Sequence, residues 1–181
     1  MKIFNKLFLF LKNVPDAFQE INSEKGILSA FLISTSATIT GCALNLLLAM
    51  ILNRKMFSLF IKTLNLTTVF EPAAIAVILL FILTLIIHPI LKLFKAKSGL
   101  ATTYKIIAYS SIPHLLLMGL PFFSKWVFFL TAFLTIYGIK TLHKLTALKS
   151  FLVVLLLYFI YWIASLFVGK WLLLLFQGVT L

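Results

Sequence analysis

An all-α fold, a polytopic helical membrane protein of five transmembrane helices with an N-terminal amphipathic interfacial helix, is what three observations predict. First, 62% of the 181 residues are hydrophobic and only 11% charged, with a mean hydropathy of +1.14, whereas about a quarter of the residues in soluble domains are charged. Second, apolar runs long enough for a bilayer alternate with short basic clusters. Third, on a five-span threading, eleven of the sixteen Lys and Arg fall on the side of the N-terminus. By the positive-inside tendency the N-terminus is then cytoplasmic and the C-terminus outside. Spans of ~20 residues each leave no room for a separate soluble domain, so the chain is read as one domain.

Residues 1–25 form an interfacial arm. Ile3, Phe4, Leu7, Phe8 and Leu11 share one helical face, while Lys2, Asn5, Lys6, Lys12 and Asn13 crowd the other, the pattern of a helix lying in the headgroup region. No small-residue cleavage site follows, so the segment is expected to be retained. Residues 16–26, DAFQEINSEKG, hold three of the four acids and read as the water-exposed part of the arm.

The membrane domain occupies residues 26–176, with spans at about 26–52, 72–91, 100–120, 122–141 and 147–168, and residues 177–181 form a short tail. The first span carries no charge and outruns a ~30 Å core, which predicts tilt. Ser34, Ala37, Thr38, Gly41 and Asn45 follow helical spacing along it, a small and polar seam of the kind that lets membrane helices approach closely. Asn45 is read as an interhelical hydrogen bond or a ligand contact.

Residues 53–71 are too polar to span and are expected along the membrane surface. Pro72 is placed in the first turn of the second helix, with Glu71 complementing its N-terminus. His88 is an interfacial polar group ahead of the basic turn at Lys92, Lys95 and Lys97.

Residues 100–139 would be twice the thickness of the core as a single helix, so the chain must fold back near Pro121 and Lys125. Two short spans result if Lys105 snorkels to the interface. A re-entrant hairpin is the alternative. The first of the pair contains Tyr109, Ser110, Ser111 and Pro113. Pro113 removes a backbone donor, which a serine hydroxyl one turn back or a closely packed neighbour would offset, so this is read as a buried central helix. After the basic loop 140–149 the last span ends at Gly169, with Lys170 and Trp171 as an interfacial anchor.

The chemistry that is missing narrows function. The three histidines, at 88, 114 and 143, have no acid near them in sequence, and no Cys pair, HExxH or Gly-rich phosphate loop is present. None of the five predicted spans contains Asp or Glu, which removes an intramembrane aspartyl pair, an acidic metal cluster and a coupling carboxylate. No catalytic residue, cofactor or metal is therefore assigned, and the chain is read as a non-enzyme. The net charge of +12 is distributed between apolar runs and not over one soluble face, so the partner is the lipid bilayer and not nucleic acid. The single Cys42 lies within an apolar run and has a packing role.

The stretch TTYKIIAYSSIP, followed by paired apolar runs and YGIKTLHKLTALKSFLVVLLL, resembles the Yip1 domain family. Its A-Y-[SA]-x-x-P signature maps onto Ala108, Tyr109, Ser110 and Pro113, and its closing turn onto His143, Lys144 and Ala147. Val14, Pro15, Ala17 and Phe18 match the proline and aromatic that often precede the first helix. The resemblance implies five spans and a cytoplasmic N-terminus. Eukaryotic members engage small Rab-type GTPases, but the arm here is only about 25 residues long. The short form is similar to bacterial members and implies a bacterial inner membrane with a periplasmic C-terminus.

Two functions are carried forward. The first is a membrane scaffold or adaptor, contacting other membrane proteins or a second copy through Ala37, Gly41, Asn45, Tyr109, Ser110 and Pro113. The alternative is a small channel or permease subunit whose path runs around Tyr109 and Pro113, with Ser111, His114, Thr131, Thr135 and Tyr137 as further polar candidates. A third idea is lipid handling by the N-terminal lysines.

Overall fold

The computed structural model describes residues 9, 12–52, 66–117 and 124–177. They are helical, with no strand among them. Seven helices follow in order: α1 (Val14–Ser23), α2 (Leu28–Leu52), α3 (Leu66–Leu93), α4 (Leu100–Ser110), α5 (Ile112–Leu117), α6 (Ser124–Leu142) and α7 (Ala147–Gln177). Leu28–Asn45, Ala73–Leu93 and Lys125–Leu142 are each long and apolar enough to cross a membrane, and Ala147–Ile163 is a shorter apolar stretch. The predicted interfacial face at Ile3, Phe4, Leu7, Phe8 and Leu11 and the surface segment 53–65 lie outside the described residues.

The stretch expected to lie in water is instead a docked helix. In α1 the Asn13 side chain accepts from the Asp16 N–H, Pro15 stands in the first turn and Asp16 meets the helix N-terminus. Ala17, Phe18 and Ile21 recur on one face and are fully buried, because that face packs against α6. A Cβ added at Gly138 would come within 2.7 Å of the Phe18 ring and 2.9 Å of Ile106 Cγ2. The missing side chain on α6 thus makes the seat for Phe18. Gly26, at φ +71°, supplies the left-handed residue that turns the chain from α1 into α2.

α2 packs on α3, α4 and α5. Ala30, Ile33, Ser34, Ala37 and Thr38 are buried on its inner face. Two of its hydroxyls return to the helix's own carbonyls, Thr35 to Phe31 at 2.8 Å and Thr38 to Ser34 at 2.9 Å, so both are satisfied without water. At Gly41 the backbones meet, and a Cβ there would overlap the Leu115 carbonyl of α5.

The second long helix starts earlier than expected. α3 is already helical at Leu66, so Glu71 and Pro72 lie inside it and Glu71 is not a residue of the helix N-terminus. α3 ends with Lys95 at φ 66°, where the Lys95 N–H reaches the Lys92 carbonyl at 2.9 Å and the Ala96 N–H reaches Leu91 at 3.0 Å. These two bonds satisfy carbonyls that the helix end leaves open.

The central helix is broken. α4 stops at Ser110, Ser111 forms the corner, and α5 resumes at Ile112. Pro113 falls in the first turn of α5, where its missing N–H is tolerated. The break rather than a serine hydroxyl therefore accommodates the proline, and Ser110 Oγ is buried without a hydrogen-bond partner among the described residues. At the other end of the chain, α7 does not stop at Gly169 but continues through Lys170 to Gln177.

Candidate functional site

α4 is where the polar chemistry converges. Thr103 to Ser110 are buried without interruption, because α2, α3 and α6 all pack around this helix. Two polar clusters and one cavity adjoin it.

The first cluster ties down α1. Lys105 is only 6% exposed, so it does not snorkel. Its ammonium donates to the Ile21 carbonyl at 3.3 Å and to the Glu24 carbonyl, placing a cation at the C-terminal end of α1, where the helix dipole favours it. Tyr109 donates its hydroxyl to Glu24 Oε1 at 2.8 Å, and its oxygen lies 3.2 Å from Ser29 Oγ. One turn of α4 therefore holds the end of α1 and the start of α2.

The second cluster joins two histidines far apart in sequence. Thr103 Oγ1 lies 2.9 Å from His88 Nδ1 and 3.0 Å from His143 Nε2. His143 is fully buried, and its Nδ1 has no hydrogen-bond partner among the described residues. Burial first, then the neighbouring His88 and the positive charge of Lys92, hold its pKa down at about 4. The ring is therefore neutral near pH 7. Whichever tautomer it adopts, one ring nitrogen bonds Thr103 and the other stays buried and unmatched. Next to this cluster Ser98 Oγ donates to the Leu142 carbonyl, and Lys92 Nζ reaches the Ser98 carbonyl at 3.1 Å. These bonds lock the turns after α3 and α6 together.

The cavity lies beside the corner at Ser111. It has a volume of about 330 Å³ between α3, the α4–α5 corner, α6 and α7, and Ser111, His114, Thr131 and Thr135 are among its walls.

The sequence-predicted residues are thus dispersed. Ala37 is buried, and Gly41 abuts α5. Asn45 is half-buried on the same helix. Tyr109 belongs to the α1 clamp, Ser110 is buried beside it, and Pro113 opens α5. Of the further polar candidates, Ser111, His114, Thr131 and Thr135 share the cavity, whereas Tyr109 and Tyr137 do not line it. Sequence reasoning missed Phe18 on Gly138, Glu24 on Tyr109 and the His88–Thr103–His143 chain. No local spacing links residues 15 or more positions apart on separate helices. The one available signal was Gly138, a small residue inside an aromatic-rich helix.

A bundle of apolar helices that turns hydroxyls, an ammonium and imidazoles inward defines a multi-pass helical membrane protein. The chain belongs to the Yip1 domain family, whose model matches residues 9–175. The match therefore includes α1 as well as the bundle. No curated protein and no solved structure matches the chain.

Proposed function

We propose that this protein is a non-enzymatic scaffold or adaptor of the bacterial inner membrane, holding other membrane proteins or a second copy. In this reading α2, α3, α4 with α5, α6 and α7 cross the bilayer, with the N-terminus cytoplasmic and the C-terminus periplasmic. The observation that carries it is a basic rim around a fixed end of the bundle. Lys92, Lys95, Lys97, Lys140, Lys144 and Lys149 are exposed around turns that Ser98 and the two histidines lock in place. A rigid rim of one sign suits the acidic juxtamembrane segments of partner proteins. The family as a whole is generally non-enzymatic, which agrees with this role.

Ala37, Gly41, Asn45, Tyr109, Ser110 and Pro113 then act in packing within the chain, because α5 fills the seam at Gly41. The same fact weighs against a solute path around Tyr109, whose hydroxyl is engaged with Glu24. Small GTPases are not required as partners here.

The test is cross-linking in native membranes followed by identification of the recovered proteins. Changing Lys95, Lys97 and Lys144 together to Glu is expected to abolish recovery while the melting temperature in detergent stays put. Undiminished recovery would overturn the adaptor reading. Solute or ion flux above that of empty vesicles, in liposomes holding the purified protein, would establish the channel instead.

A further inference from the structure

We infer that the cavity beside the Ser111 corner is a binding site for one acyl chain carrying an uncharged, oxygen-bearing head, an ester or an alcohol. Its origin lies in the packing. The close approach at Gly41 draws α5 onto α2, and α5 otherwise rests on α6, while α7 is held by α6 and α3. The corner and α7 are left apart, and the space between them is the cavity.

Its walls select the guest by class. Leu83, Ile87, Ile107, Val154 and Leu157 provide an apolar lining suited to methylenes. Among the described residues no Asp, Glu, Lys or Arg lines it, so a charged head would be desolvated with no oppositely charged carboxylate, ammonium or guanidinium among them to pair with. Its polar walls are the hydroxyls of Ser111, Thr131 and Thr135 and the imidazole of His114. Thr135 donates its hydroxyl proton to the Thr131 carbonyl at 2.8 Å, which leaves its oxygen able to accept from an alcohol. Thr131 Oγ1 is buried with no partner among the described residues. Threonine in a helix has two accessible χ1 rotamers, so one rotation turns that donor toward an ester carbonyl.

Size sets the number of chains. At ~30 Å³ for each water-sized group, 330 Å³ holds about ten heavy atoms, enough for part of one chain but not for two. The rim is open. Leu83 is 39% exposed, Phe128 41% and Tyr161 71%, and these residues lie on helices read here as facing lipid.

The proposal is tested on the full chain in nanodiscs with three photoactivatable probes bearing the same diazirine-labelled chain: a monoacylglycerol, a diacylglycerol and a free fatty acid. Peptides covering 107–111 and 128–135 should be labelled by one or both ester probes, and an excess of unlabelled ester should compete. Labelling by the diacyl probe assigns the chain to a bilayer lipid, and by the monoacyl probe alone to a free amphiphile. Thr135→Phe should fill the cavity and remove the labelling. Should that variant not fold, Thr131→Val, nearly identical in shape, should lower it by about fivefold, the effect of one lost hydrogen bond. Labelling spread evenly over the outer face at Leu152, Leu155 and Leu156 without competition would overturn the site, as would an unchanged signal in Thr131→Val. Equal labelling by the fatty acid would overturn the neutral head.

Discussion

α4 and α7 differ in a direction opposite to that found in soluble proteins. α4 carries a lysine, two tyrosines and three hydroxyl residues among its eleven positions, and it is the most enclosed helix among the described residues. The first half of α7 is almost continuously apolar, yet Leu148, Tyr161 and Trp162 are 68%, 71% and 57% exposed, and only Ser150, Val153 and Val154 are buried among its described side chains. Lipid solvates leucine as well as another helix does, so apolarity alone gives α7 no reason to be inside. A lysine or tyrosine in a helix that crosses a bilayer has every reason, because only protein can offer it a hydrogen-bonding partner there.

The contrast would be broken most directly at Gly41. Leucine there must overlap the α5 backbone, which cannot move aside as a side chain can, so Gly41→Leu should cost about 4 kcal/mol or leave no monodisperse protein in detergent. Gly138→Leu should cost less, since Phe18 is a side chain and can swing out.

The next effect comes from His143 and depends on pH. Its pKa is held down at about 4 in the folded protein, against ~6.5 when unfolded. The unfolded chain therefore binds the proton first as pH falls. Stability is complete above about pH 6.5 and is lost progressively toward pH 4, by on the order of 3 kcal/mol. Thermal melts at pH 7.5 and 4.5 should show this loss in the native protein and a smaller one in His143→Asn.

Lys105→Met should cost about 2 kcal/mol, because two carbonyls at the end of α1 lose a charged donor. Limited proteolysis should then cut within residues 12–26 while the remaining helices stay intact. Leu155→Ala on α7, 52% exposed, should change the melt by about 0.5 kcal/mol or less. A larger loss there than at Lys105 would reverse the comparison.

Much of the helical layout was legible because apolar runs and basic breaks report the length a bilayer requires. α2, α4 and α7 begin at Leu28, Leu100 and Ala147, close to the breaks that divide the apolar runs. Thr67, Thr68 and Glu71 suggest a surface segment, although helix geometry tolerates them, so the sequence places α3 too late. Lys105 suggests a side chain reaching for water, because sequence cannot show that α1 folds back to meet it. Ser111 was legible as unusual but not as a corner. The site was harder than the fold for the same reason. The pairs Glu24–Tyr109 and Phe18–Gly138 come from separate helices, and only the packed bundle brings them together.

The seat of α1 also sets an order of events during synthesis. Phe18 rests against Gly138, a residue that the ribosome reaches on the order of ten seconds later at ordinary elongation rates. Until then the N-terminal helix has its contacts with Lys105 and Tyr109 of α4 within reach but lacks the seat for Phe18. Burial of Phe18 therefore waits for α6, and a nascent chain truncated before that glycine should leave this arm more open to protease than the full chain does.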